Sequence, residues 1–481
     1  MSLSSALSNA LSGLTASARG ANVVSSNLAN TLTDGYAVRE LSLSARTAGT
    51  GGGVMVNGLN RLVDQALVGD RRFADAEQGQ ASTQSRFLQR LSSLTGDPTE
   101  ARSLTGLLSE FETSLISAAN LPESETRLAS VLQSANAIAE SLNTISAGVQ
   151  NLRAEADREI NQQVTQLNTA LQNVERLNND ILSARSQGRE VAGLLDQRQA
   201  LVDEISSIVP VQELQRDMGV IALMTPGGAI LLDGKAADIT FEPHNTVVAH
   251  MTVEEGLLSG IQVNGFEVSA VGSGAMSGGT LGGLFSVRDE VLTSVQAELD
   301  TVALDLIERF ETGVDPSLAA GAPGLFTDDG SVAENTTGIA GRIAINALVD
   351  PEQGGDLWRL RDGLGATENG NSGNADLLQS MLDVMTDTRV STSSSLGIAA
   401  RDLAGLTSDF LSSIGQRENL ADKTLSFTSA RQFELTEMEL ALGVDTDAEL
   451  QKLMLIERAY AANAKIVQAV DEMLQQLMEI G

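Results

Sequence analysis

Leu3, Leu7, Ala10, Leu14, Ser17, Ala21, Val24, Leu28 and Thr31 recur at alternating steps of four and three, which lays them along one stripe of a helix at coiled-coil spacing. The pattern predicts a helix that stops at Thr33-Asp34-Gly35, with Gly35 as a left-handed cap. The far end mirrors it, since Leu453, Ile456, Tyr460, Asn463, Val467, Val470, Leu474 and Leu477 alternate steps of three and four. Both ends therefore carry seams that need partners. If they pack on each other, Leu28 and its neighbours are expected to meet the Tyr460 ring, while Asn463 finds a polar partner that sets the register.

Between about 80 and 209 the pattern is helical almost throughout. Ile138, Leu142, Ile145, Val149 and Leu152 hold a heptad, Ala156, Ile160 and Val164 step by fours like a stutter, and Leu167, Leu171, Val174 and Ile181 resume it. A break at Ser186-Gln187-Gly188 precedes a shorter helix that Pro210 closes. From about 211 to 280 the period changes: apolar runs are split by Pro226-Gly227-Gly228 and by Asn264-Gly265, both hairpin signals. Helical periodicity returns at 284–312, and helices at about 374–386 and 393–440 lead into the terminal one. The expected fold is mainly α with an inserted β domain, a long helical bundle with coiled-coil-forming N- and C-terminal helices. The expected layout is 1–35 and 445–481 as paired terminal helices, 36–210 and 281–444 as the two parts of the bundle, and 211–280 as the β insertion.

Composition restricts what such a bundle can do. Apolar residues make up 42% of the 481 and aromatic ones only 3%, so burial rests on aliphatic side chains, which suit helix seams better than deep pockets. A formal charge of −32 repels nucleic acid and anionic membrane surfaces alike, and neither is an expected partner. Cysteine is absent, which removes disulfides, thiolate metal sites and thiol catalysis together. No apolar run approaches the ~18 residues of a membrane span. The opening MSLSSALSNALSGL lacks a basic n-region and a continuous hydrophobic core, so export by a cleaved signal peptide is not expected.

Candidate chemistry is sparse. His244 and His250 flank no helical ligand spacing and read as loop and strand surface rather than a metal site. Gly234-Lys235 ends like a phosphate loop, but Ala229 and Ala236 stand where the first glycine and the magnesium hydroxyl belong. The glycines at 49 and 51–53 read as a flexible loop, and TDDGSVAEN at 327–335 lacks the alternating ligands of a calcium loop. No carboxylate has a neighbouring His or Lys that marks it as catalytic. No enzyme, cofactor or metal is expected.

The two ends carry a family signature. Asn27-Leu28-Ala29-Asn30, Thr33 and Gly35-Tyr36 resemble the N-terminal motif of the bacterial flagellar axial proteins, the rod, hook and hook-associated set. IERAYAANAKIVQAVDEMLQQL at 456–477 is similar to their C-terminal motif through Tyr460, Ala462-Asn463-Ala464 and Asp471-Glu472-Met473. Arg39 follows Tyr36 after two residues, where the family usually has one. In the middle, 194–211, 279–310 and GRIAINALVDPEQ at 341–353 resemble the hook-associated branch, so the likeness covers nearly the whole chain. Another axial protein of hook or rod type, or a non-flagellar coiled-coil scaffold, is the alternative.

The resemblance implies a structural, extracellular component between hook and filament that is secreted through the flagellar type III channel. Its implied partners are copies of itself, hook protein, the next hook-associated protein or flagellin, and an export chaperone on the C-terminal helix. The expected assembly interface comprises Leu7, Leu14, Ala21, Val24, Asn27, Leu28, Asn30, Gly35, Tyr36, Leu453, Ile456, Tyr460, Asn463, Val467, Val470, Leu474 and Leu477.

Overall fold

The computed structural model describes residues 3–33, 35–46, 52–96, 100–311 and 313–480. In chain order, helix α1 (Leu3–Ala29) precedes strands β1 (Arg39–Ala45) and β2 (Val54–Arg61). Helices α2 (Gln65–Thr95), α3 (Leu104–Asn120), α4 (Glu125–Ser186) and α5 (Ala192–Ile208) follow. Then come strands β3 (Gln212–Gln215), β4 (Ile221–Met224), β5 (Ile230–Asp233), β6 (Lys235–Ala236), β7 (Ile239–Thr240), β8 (Ile261–Val263) and β9 (Phe266–Val268). Helices α6 (Gly279–Ser286) and α7 (Leu292–Glu311) lead to β10 (Phe326–Asp328) and β11 (Ile343–Ile345). Helices α8 (Arg359–Asp362), α9 (Asp376–Thr386), α10 (Leu403–Ala441) and α11 (Thr446–Ile480) complete the order. The fold is mainly α with inserted strands, and no described helix is long and apolar enough to cross a membrane.

The chain divides into two compact units, the first formed by Met1–Glu77, Gln166–Asp238 and Ser429–Gly481, the second by Gln78–Thr165 and Ile239–Thr428. In the first, the last part of α4 and α5 bury Leu167, Leu171, Val174, Ile181, Val202 and Ile205 alongside the four-stranded sheet β3-β4-β5-β6. Buried Asn178 ties helix to sheet: its carboxamide donates to the Ile221 carbonyl at 2.9 Å and accepts from the Ile221 N–H at 3.3 Å. Arg198 closes the arrangement by donating to Asn178 Oδ1 at 2.9 Å and the Gly219 carbonyl at 2.7 Å.

The second unit centres on α7, buried on nearly every side. Phe111, Phe310 and Phe326 pack ring on ring with centroids 5.2 to 5.9 Å apart. A polar knot joins α4 to the turn that precedes α7. Asp157, fully buried, accepts from Arg288 Nη1 at 2.6 Å and from the His244 backbone N–H at 2.6 Å. Arg288 stands on a single π-helical turn, Val287–Val291. Arg153 spends its guanidinium on the carbonyls of Arg288, Val248 and Met251, and burial lowers its pKa to about 10, against the upward pull of Asp289.

The α4 stripe emerges as expected, every one of its named residues from Ile138 to Ile181 being buried. The Asn264-Gly265 hairpin turns with both φ angles positive, 54° and 81°, as a type I′ turn requires. Three expectations are corrected. Residues 39–61, assigned to the first part of the bundle, form an antiparallel hairpin with Arg39 opposite Arg61; the alternating RELSLSA and VMVNGLNR are half-buried strands. Within the expected glycine loop, the Gly53 carbonyl accepts from the Arg46 N–H at 2.9 Å and closes that hairpin, while residues 47–51, like Asp34, lie outside the described residues. Helix α10 starts at Leu403 rather than 393, because Asp402 caps it through the Gly405 N–H at 2.8 Å and residues 389 and 401 exchange backbone hydrogen bonds. The strands at 211–280 form two sheets, β3–β6 in the first unit and β7–β9 in the second.

Candidate assembly site at the paired terminal helices

Helices α1 and α11 pack along each other. Asn27 hydrogen-bonds Glu449, Gly20 faces Ile456, and Gly13 faces Asn463. Each step of seven along α1 is a step of seven backwards along α11, so the pair is antiparallel and keeps a heptad register. The seam is built on small residues: Ala10, Ala16 and Gly20 are buried with Val24 and Asn27. A Cβ on Gly13 would lie 2.6 Å from Asn463 Nδ2, and one on Gly20 would lie 3.1 Å from Ile456 Cδ1. Glycine inside a helix costs about 1 kcal/mol relative to alanine, and here that loss is exchanged for close approach of the helices.

Asn27 is the polar centre of the seam. Its side chain is fully buried and makes four hydrogen bonds, the full capacity of a carboxamide. Nδ2 donates to the Arg39 carbonyl at 2.9 Å and to Glu449 Oε2 at 3.1 Å. Oδ1 accepts from the Tyr36 hydroxyl at 2.8 Å and from the Arg39 N–H at 3.1 Å. The turn after α1, with Gly35 at φ +73°, brings Tyr36 and Arg39 back onto the helix they follow. Lys452 completes the α11 side at 2.9 Å from Glu449 Oε1, and that carboxylate raises the Lys452 pKa. On the other flank the Arg39 guanidinium lies over the Tyr36 ring, 4.8 Å from its centroid, and donates to Asp196 at 2.7 Å. Arg61 donates to the other oxygen of Asp196 at 2.7 Å. One buried amide thus joins both ends of the chain, and one α5 carboxylate anchors both strands of the hairpin.

The expected interface residues divide by burial. Val24, Asn27 and Val470 are buried. Leu7, Leu14, Ala21, Leu28, Asn30, Gly35, Tyr36, Leu453, Ile456, Asn463 and Val467 are half-buried, and Tyr460, Leu474 and Leu477 are exposed. Two expected contacts are corrected. The antiparallel register puts Tyr460 between the levels of Gly20 and Gly13, more than two turns from Leu28, and leaves its side chain 49% exposed. Asn463 donates to the Ala459 carbonyl of its own helix at 2.9 Å and fits over Gly13 instead of pairing with a polar group across the seam.

With this geometry in view, the matches to known proteins are specific. The model of the flagellar hook-associated protein FlgK helical domain matches residues 88–317, and that of the flagellar basal body rod FlgEFG protein C-terminal region matches 441–480, the whole of α11. The flagellar hook-associated protein 1 of Bacillus subtilis (strain 168) is 25% identical over 98% of this chain and 97% of its own length. Together these matches support a hook–filament junction protein similar to flagellar hook-associated protein 1. Its counterpart in Escherichia coli (strain K12) is 25% identical over 72% of this chain and 64% of its own length, and that of Salmonella typhimurium (strain LT2) 26% identical over 64% and 56%. A solved structure of the flagellar hook junction protein FlgK from Burkholderia pseudomallei aligns partially, over 55% of this chain and 46% of its own, with TM-score 0.44 and 22% identity.

The N-terminal motif residues Asn27 and Tyr36 form one hydrogen-bonded clasp. Sequence reasoning missed Gly13, Gly20, Asp196 and Glu449. The two glycines had a signal: Gly13, Gly20 and Asn27 recur every seven residues, one position before Leu14, Ala21 and Leu28. Gly13→Ala is expected to lower the melting stability of the first unit by about 1 to 2 kcal/mol through overpacking, despite the better helix propensity of alanine. Adding Asn463→Ala should recover most of it; equal melting of Gly13→Ala and the unaltered chain would show that the helices are not held this closely.

Proposed function

We propose that this chain builds its part of the junction by self-assembly through the paired terminal helices, using the interface residues named above. One observation carries the reading. While α1 covers one side of α11, a row of large apolar side chains on α11 stays in water, among them Leu455, Tyr460, Ile466, Met473, Leu474, Leu477 and Met478, with Leu455 63% and Met478 81% exposed. Exposed apolar surface of this extent on one helix calls for a partner, and a closed oligomer of identical chains supplies one repeatedly. An open groove of about 470 Å³ between α1, β1 and α11, lined by Gly13, Val24, Leu41, Leu43 and Ile456, adjoins the same face.

In this reading copies of the chain flank one another, hook protein lies on one side, and the next hook-associated protein or flagellin on the other. Segments 1–35 and 445–481 then line the axis. The site is an interface, with no catalytic or cofactor role, and it works in the extracellular flagellum. A type III export chaperone covers α11 until assembly.

The triple substitution Tyr460→Ser, Leu474→Ser and Leu477→Ser tests the reading. Because these side chains are exposed in the single chain, its melting should stay within about 0.5 kcal/mol of the unaltered protein, while polymer measured by sedimentation disappears. Polymer yield equal to that of the unaltered chain would sink the proposal.

A further inference from the structure

A groove of about 1170 Å³ lies between α1, the β1–β2 hairpin and the turn from α4 to α5. In a chain with 63 acidic and 31 basic residues, five arginines line it, Arg19, Arg39, Arg61, Arg185 and Arg189, against one acid, Glu190. Arg39 and Arg61 share Asp196. Arg19, Arg185 and Arg189 are exposed, and among the described residues none of the three makes an ion pair.

The arginines are held in place by the backbone. Helix α4 ends in a left-handed Gly188, φ +67°, with the Arg189 N–H bonded to the Ala184 carbonyl at 2.8 Å, a Schellman closure that sets Arg185 and Arg189 on either side of the turn. The Arg185 guanidinium lies against Gly219, where a Cβ would come within 2.2 Å of Nη1, next to buried Arg198. Burial pushes Arg198 down to about 10, Glu213 raises it, and Arg185, Arg61 and Arg72 lower it further. This is a fixed concentration of positive charge with apolar side chains of Val23, Leu41 and Leu59 in its walls.

We propose that this basic groove receives the C-terminal half of α11 from a second copy of the chain, with Asp471 and Glu472 against Arg185 and Arg189 and with Met473 and Leu474 on the apolar wall. The inference rests on the self-assembly reading and names a surface within it. Asp471, Glu472, Met473 and Leu474 are all exposed, so this stretch presents acid and apolar surface side by side. Its own groove is out of reach. The register that sets 463 opposite 13 sets 471 near residue 5, roughly 20 Å along α1 from Arg19 at 1.5 Å per residue. Identical chains that repel one another through a charge of −32 gain most from a contact joining the basic patch of one copy to an acidic patch of the next, the head-to-tail interface that rings and tubes use.

The experiment uses the full chain at one fixed ionic strength and reads polymer by sedimentation and folding by thermal melting. Arg185→Glu with Arg189→Glu should leave melting unchanged and cut assembly at least tenfold. Asp471→Arg with Glu472→Arg should do the same. All four changes together should restore polymer to within about threefold of the unaltered chain, because the charges are exchanged between the two faces. Wild-type assembly in the groove variant, loss in the groove variant alone, or failure of the fourfold variant to recover would each overturn the inference while leaving terminal-helix assembly intact. An unaltered chain that stays monomeric throughout would overturn the assembly reading itself.

Discussion

Asn27→Leu is expected to detach α11 from α1 and to cost the first unit about 3 to 5 kcal/mol. Leucine keeps the branched four-atom side chain but is bulkier, so overpacking at this fully buried position adds to the loss of hydrogen bonds. The substitution leaves the Tyr36 hydroxyl with only Ser26 Oγ at 3.3 Å and takes the carboxamide partner from the Arg39 N–H and carbonyl and from one oxygen of the buried Glu449 carboxylate. Each stranded buried group costs about 1 to 3 kcal/mol and the charged one more, although relaxation and water entry keep the sum below simple addition. Tyr36→Phe is the graded control: it removes one donor, leaves Asn27 Oδ1 bonded to the Arg39 N–H, and should cost about 1 kcal/mol. Hydrogen exchange across α1 and α11 separates the cases. Fast exchange in both helices is expected for Asn27→Leu and near-native protection for Tyr36→Phe; native protection in Asn27→Leu would remove Asn27 from the centre of the site.

The second large effect belongs to the other unit. Asp157→Ala should destabilise it by about 3 to 5 kcal/mol, the usual cost of removing one partner from a buried ion pair. Arg288 is fully buried and keeps Asp289 and the Ser259 carbonyl once Asp157 is gone, while the His244 N–H loses the acceptor it meets at 2.6 Å. Asp157→Asn tests charge apart from shape. It can accept one of the two donors, but its own NH2 must then face the other, so most of the loss should remain. Trp358, the chain's one tryptophan, lies in this same unit, and its fluorescence during denaturant unfolding reports the midpoint directly. Unchanged midpoints in both variants would mean that the knot contributes nothing net.

Legibility in the sequence followed the range of the interaction. The α4 stripe was readable because burial of one helix face needs only periodic apolar residues, and each of those residues is buried. The hairpin at Asn264-Gly265 was readable because a two-residue turn is a local event. Asn27 and Tyr36 stood out as motif residues close in sequence. Glu449, the Asn27 partner 422 positions away, carried no mark that set it apart from the other acids. The β1–β2 hairpin was overlooked because its alternation is short and the glycine-rich stretch beside it suggested a loop.

By itself the sequence determined the helical periodicities at both ends, the interruption of the bundle by short strands, the acidic and cysteine-free character of the chain, and membership of the axial set through paired terminal motifs. These are properties of one segment at a time. The tertiary structure decided that α1 and α11 run antiparallel, that Gly13, Gly20 and Asn27 make the close approach to α11, and that Asn463 bonds within its own helix. A heptad says which stripe is apolar, but parallel and antiparallel pairings can both bury it. Choosing between them depends on how closely two backbones can approach and on whether every buried polar group finds a partner, and both conditions exist only once distant parts of the chain are side by side.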